Sequence, residues 1–133
     1  MTRREAITLS AAALAGCATP GSSSRGYIDA HSHVWTPDVQ HFPLALGKTV
    51  ADLKPLSFTP ETLIKLGKTE DVTRHVLISH GPFYGFNNDY LIYAAKKYPG
   101  VFAIVGAMDP RLDRIPVRMI ANRKLSITGY RIL

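Results

Sequence analysis

The run Tyr27-Ile28-Asp29-Ala30-His31-Ser32-His33-Val34-Trp35 places two imidazoles two residues apart inside an apolar, strand-like stretch. Side chains on a β-strand alternate between faces, so a strand from Tyr27 to Val34 directs Asp29, His31 and His33 to one side. Two neutral imidazoles at a fixed separation make half of a transition-metal site, and nitrogen donors suit zinc, iron, nickel or copper better than calcium or magnesium. The same spacing also occurs in strands whose histidines only hydrogen-bond or face solvent, so the surrounding sequence decides its meaning.

Downstream, Pro37, Pro43, Gly47 and Pro55 break up the stretch from Trp35 to Ser57, which reads as a long loop holding a solvated His41. Thr59-Pro60-Glu61 has the pattern of a helix start, with a hydroxyl cap, proline in the first turn and an acid near the positive end of the dipole. The segment from Val76 to His80 is apolar until Ser79-His80-Gly81-Pro82 and reads as a second strand. Asn87-Asn88-Asp89 offers caps for a helix that Pro99-Gly100 stops. A third strand follows from Phe102 to Met108, closed by Asp109-Pro110 with Asp109 in a turn role. Next come a weak helix from Leu112 to Arg123, weakened further by Pro116, and a fourth strand from Ile127 to Leu133.

Strand starts recur about every 26 residues from Val76 onward, which is the pitch of β-helix-β units and of a parallel sheet. In an α/β barrel the residues just past each strand's C-terminal end face the active site. His80 and Arg131 stand there and are the candidate substrate-binding residues. His80 can alternatively cap a neighbouring backbone group. Arg131, in a Gly-x-Arg context, offers a planar fork for a carboxylate or oxyanion, or pairs with a carboxylate at the rim.

From Tyr27 to Leu133 the chain resembles the amidohydrolase-related (amidohydrolase 2) metal-dependent hydrolases, TIM-barrel enzymes whose first strand ends in His-x-His. The resemblance is carried by that motif with Phe58-Thr59-Pro60-Glu61, Val76-Leu77-Ile78, Tyr84-Gly85-Phe86-Asn87-Asn88-Asp89-Tyr90-Leu91, Tyr98-Pro99-Gly100-Val101-Phe102, Val105-Gly106-Ala107-Met108-Asp109-Pro110 and Gly129-Tyr130-Arg131. It implies an α/β fold, the first half (about four βα units) of a (β/α)8 barrel. It also implies a divalent metal, zinc before others, with His31 and His33 as ligands. The remaining ligands and the catalytic general base are expected beyond residue 133, so the catalytic residue is unknown here. Asp29 is expected to orient an imidazole or its strand rather than bind metal. The implied reaction is hydrolysis of a small-molecule lactone or amide by metal-activated water. Decarboxylation by the same superfamily and an inactive lipoprotein remnant are the alternatives.

Residues 1–16 read as a signal peptide: Arg3-Arg4 is a basic start, and Ala6 to Ala15 is apolar but far short of the roughly 20 residues a spanning helix needs. Leu14-Ala15-Gly16-Cys17 resembles a lipobox, which makes Cys17 the lipidated first residue of the mature chain, exported by a twin-arginine or general secretory route. Residues 17–26 form a small-residue tether. These features imply localisation on the periplasmic side of a bacterial membrane, lipid-anchored. As the sole cysteine it excludes an internal disulfide within the chain.

The composition, 46% hydrophobic and 20% charged, is that of a globular protein. The net charge of +6 is scattered, with no basic stripe interleaved with aromatics and no nucleic-acid module, so nucleic acid is not an expected partner. A small-molecule substrate, the membrane and a possible homo-oligomer are. At 133 residues the chain is well short of the roughly 250 of a typical barrel and is expected to be a fragment or truncation, inactive alone.

Overall fold

In the computed structural model the described residues are 26–131; the expected signal segment, Cys17 and all of the tether but Gly26 lie outside them, as do the last two residues of the expected fourth strand. Four strands, β1 (Tyr27–Ser32), β2 (Val72–Ile78), β3 (Phe102–Ala107) and β4 (Ile127–Arg131), form one sheet in chain order, each parallel to its neighbour. The helices α1 (Pro60–Thr69), α2 (Gly81–Tyr84), α3 (Asp89–Lys97) and α4 (Ile115–Asn122) fill the crossovers. A parallel sheet with a helix in every crossover, strands in sequential order, is the arrangement of consecutive barrel units.

Helix α1 begins where its sequence cap stands. The Thr59 hydroxyl accepts a bond from the Thr62 amide, and Pro60, lacking an N–H, occupies the first turn where no N–H is needed. The helix buries Leu63, and α3 buries Leu91, Ala94 and Ala95, against Leu77, Phe102, Ile104 and Ile127 of the sheet. Leu77 and Ile104, on the two central strands, have no exposed surface. The long loop after β1 is closed at its base, because Trp35 and Phe58 pair as an isolated antiparallel bridge and the Trp35 indole N–H donates to the Pro55 carbonyl.

Several boundaries differ from the sequence reading, each for a local reason. Strand β1 stops at Ser32, so His33 stands just past its end. Strand β2 begins at Val72, four residues before the apolar run, because Thr73, Arg74 and His75 belong to the strand and disguise it as polar. Proline 116 does not weaken α4: it lies in the helix's first turn, where its fixed φ suits the backbone. The short helix α2 was hidden in Gly81-Pro82, read as a strand ending.

The expectation that Asp29 shares a face with both histidines is also corrected. Asp29 pairs with His75 and Ser32 with Leu77, so three steps along β1 match two along β2 and the register slips at a bulge. His75 and Leu77 point toward the helices, which puts Asp29 and Ser32 on that side too. The extra residue sends His33 to the opposite, open face.

Candidate metal centre at the strand ends

Strand β1 delivers the two histidines of the motif to its C-terminal end. His33 Nδ1 lies 2.8 Å from the Ile78 carbonyl oxygen on β2, so Nδ1 carries the proton and donates, and Nε2 keeps its lone pair. That Nε2 lies 3.2 Å from Nε2 of His31. Two nitrogens each about 2.0–2.1 Å from a tetrahedral zinc stand about 3.3 Å apart, so the pair has the spacing of two ligands on one ion. Both rings are accessible, His31 exposed and His33 half-buried. The donors therefore fit a zinc-like ion. Among the described residues no cluster of three or more His, Cys, Asp or Glu side chains completes the site.

Asp29 stabilises the bulge rather than touching the pair. Its carboxylate accepts the Ser32 hydroxyl and, at 3.0 Å, the His31 backbone N–H. Those two bonds, the Ser32 hydroxyl first, hold its pKa below the usual carboxylate value. Buried His75 sits behind it, Nδ1 at 3.7 Å from the carboxylate, too long for a hydrogen bond.

His80 follows β2 and completes a row of three rings. His33 meets His31 and His80 edge to face, each at 5.0 Å between centroids. Burial first, then the neighbouring His33 and Arg131, lowers the His80 pKa, so the imidazole is neutral at neutral pH. Its Nδ1 is buried without a hydrogen-bond partner among the described residues, so it does not cap a backbone group through that atom. Trp35 and Phe83 form an aromatic wall against it, with Phe83 stacked at 4.1 Å. The sequence reading missed that wall, although Trp35 follows the histidine motif by only two residues.

Arg131, at the end of β4, reaches back across the sheet, its Nη1 3.5 Å from the Ser79 carbonyl oxygen beside His80. Among the described residues it is in no ion pair, so the rim-pairing alternative finds no partner there. The structure thus gathers His31, His33, His80 and Arg131 at the same end of the sheet. His41 is elsewhere, in a local pair with Asp38 on the exposed loop, and Asp109 is held in its turn by the Arg111 guanidinium. A cleft of about 320 Å³ lined by Phe86, Met108, Asp109 and Leu112 opens beside β3 and contains none of the four gathered residues.

The sequence matches no protein-family model and no curated protein. Solved structures do match in fold. A probable 2-pyrone-4,6-dicarboxylic acid hydrolase from Acinetobacter baumannii, with citric acid bound, superposes on 80% of this chain with a TM-score of 0.62 and 20% identity. A protein of Agrobacterium tumefaciens in its apo form matches 82% with a TM-score of 0.60 and 16% identity, and a Pseudomonas putida protein named as a putative 2-pyrone-4,6-dicarboxylic acid hydrolase matches 80% with 0.53 and 18%. The chain spans 36–37% of the length of these three structures. Its four parallel strands, with helices in the three crossovers, are a partial TIM-barrel fold of the kind these structures have.

Proposed function

We propose that the chain is the metal-binding part of a hydrolase that opens a small lactone or amide carrying a carboxylate. The observation that carries this reading is the convergence of the His31 and His33 Nε2 atoms at 3.2 Å, at the strand ends where barrel enzymes place their chemistry. His31 and His33 would hold a divalent ion, zinc by donor type, which when bound supplies a Lewis acid for the carbonyl and lowers the pKa of water toward 7.

The chain's own residues do the rest. Ile78, through its carbonyl, locks the His33 tautomer and so keeps Nε2 available as a donor. Asp29 holds the bulge that presents His31. His80, neutral and backed by Trp35 and Phe83, forms one wall and keeps water from that side. Arg131 has the fork geometry to bind a substrate carboxylate. Two of the matched structures are described as hydrolases of a dicarboxylic acid, and one holds citric acid, which agrees in charge with an arginine at this end of the sheet.

The test is zinc content by mass spectrometry after equilibrium dialysis of the full chain, alongside hydrolysis of 2-pyrone-4,6-dicarboxylate and simpler lactones by a version extended to barrel length. Weak zinc binding by the 133-residue chain, and one zinc per chain with turnover in the extended protein, both lost in His31→Ala and in His33→Ala, are the expected results. Undiminished zinc in the double variant refutes the assignment of the pair. Zinc bound through the pair with carbon dioxide as the product moves the reaction to decarboxylation.

A further inference from the structure

The segment from Arg111 to Leu125 concentrates two features that seldom coincide on a helix of the outer layer. It carries five exposed cations; Arg111 is paired with Asp109 and Arg118 donates to the Asp113 carbonyl, which leaves Arg114, Arg123 and Lys124 with one acid, Asp113, in the segment. It also carries exposed apolar side chains, Val117 at 62% and Ile120 at 68%, with Leu112, Met119 and Leu125 less so. None of α4 is buried.

The helix has two sides. Arg118, Ala121 and Asn122 line the cleft beside the end of β3. Val117 and Ile120 are three residues apart and so share a side, bordered by Ala121 and turned away from Arg118 and Asn122. Arg123 and Lys124 follow at once in a 3₁₀ turn, and among the described residues neither sits in an ion pair. In a barrel the helices form the outer ring, so the side of a helix turned away from the sheet faces outward.

We infer that this face of α4 and the turn after it dock on an anionic lipid surface, apolar side chains entering the headgroup boundary and cations pairing with lipid phosphates. A basic helix with an apolar side lies in the plane of such an interface, and its binding combines buried apolar area with attraction to anionic headgroups. Charge complementarity selects this occupant: a neutral apolar partner would leave the flanking cations desolvated and unpaired. An anchor at Cys17, expected from the sequence, would hold the domain at that same surface.

The experiment is flotation of the full 133-residue chain with vesicles of phosphatidylcholine alone and of phosphatidylcholine with 30 mol% phosphatidylglycerol. It compares the unaltered chain with Arg123→Glu/Lys124→Glu and with Val117→Asp/Ile120→Asp. The N-terminal residues are common to all three, so the difference between them isolates the α4 face, and circular dichroism confirms that each is folded. Each cation near an anionic surface contributes on the order of fivefold, so reversing two predicts a fall of at least about twentyfold in binding to the anionic vesicles. The apolar pair should lose binding as well, and the unaltered chain should lose most of it in 0.5 M salt. Equal binding by all three proteins, or unaltered binding in high salt, overturns the proposal. So does stronger retention on duplex DNA than on anionic vesicles at one ionic strength, which would assign the cations to another polyanion.

Discussion

Replacing Asn88 with alanine should unfasten the end of β3 from the segment that follows α2. The Asn88 side chain closes a two-point clamp on one residue, its Nδ2 donating to the Ala107 carbonyl and its Oδ1 accepting the Ala107 N–H, both at 2.8 Å. Ala107 is 1% exposed, so truncation leaves two backbone groups with little access to water. A buried donor or acceptor left unpaired costs about 1–3 kcal/mol, and the half-buried position of Asn88 lets some water in, so the combined cost is about 3 kcal/mol. At roughly 4–8 °C per kcal/mol for a domain of about this size, Tm should fall by roughly 12–24 °C, read by far-ultraviolet circular dichroism. Asn88→Asp should recover little, because a carboxylate accepts from the N–H but cannot donate to the carbonyl. A fall of less than about 3 °C for the alanine variant would show that the clamp is solvated and that the mouth of the sheet is held by packing alone.

Three further outcomes follow from individual contacts. Removing the Ile104 side chain from the centre of the core, in Ile104→Ala, should cost about 3–4 kcal/mol in urea unfolding, since the side chain has no exposed surface and its neighbours are fixed by two flanking strands. Burial alone would raise the pKa of Glu61, but bonds from Tyr98 and Lys97 outweigh it and hold it at about 2. A depressed folded pKa stabilises above the unfolded value of 4.5 and is lost as pH falls toward 2; with the side chain 47% exposed, the contribution is on the order of 1 kcal/mol. Glu61→Gln should therefore flatten the acid limb of a stability-against-pH curve within that window and nowhere else. Gly67→Ala should destabilise despite the better helix propensity of alanine, because the added carbon would stand 2.8 Å from buried His75 and 3.0 Å from the Val72 carbonyl; a rise in Tm would mean that the helix shifts freely over the sheet.

What the sequence made legible was local. Thr59-Pro60-Glu61 encodes a helix start within three residues, and the structure begins α1 at Pro60 with the Thr59 cap formed. The apolar cores of β2 and β3 announced themselves because strands covered by helices need unbroken hydrophobic runs. What stayed hidden depended on partners distant in sequence. Thr73 and Arg74 look like loop residues until β1 pairs beside them. Asn88 has the residue type of a helix cap, and stands at the cap position, yet its side chain makes no cap bond because Ala107 offers two. Gly106 permits this, since a Cβ there would stand 3.0 Å from Asn88 Oδ1.

The histidine pair shows how a motif read on strict alternation can rest on a faulty local geometry. Strict alternation puts Asp29 beside both imidazoles, and from there an acid-assisted metal site is a short step. The bulge breaks that step: Asp29 turns to the helix side, where it accepts from Ser32 and from the His31 backbone, and His33 turns to the open face beside His80. Ideal alternate positions on a flat strand lie roughly 6.5–7 Å apart along the chain, too far for two rings pointing straight out to share one small ion without leaning together. The observed 3.2 Å between the Nε2 atoms comes with the extra residue and with the Ile78 carbonyl holding the His33 ring. The pair is therefore set by β2 as much as by its own strand, which is why the motif marks a site only where a neighbouring strand end lies beside it.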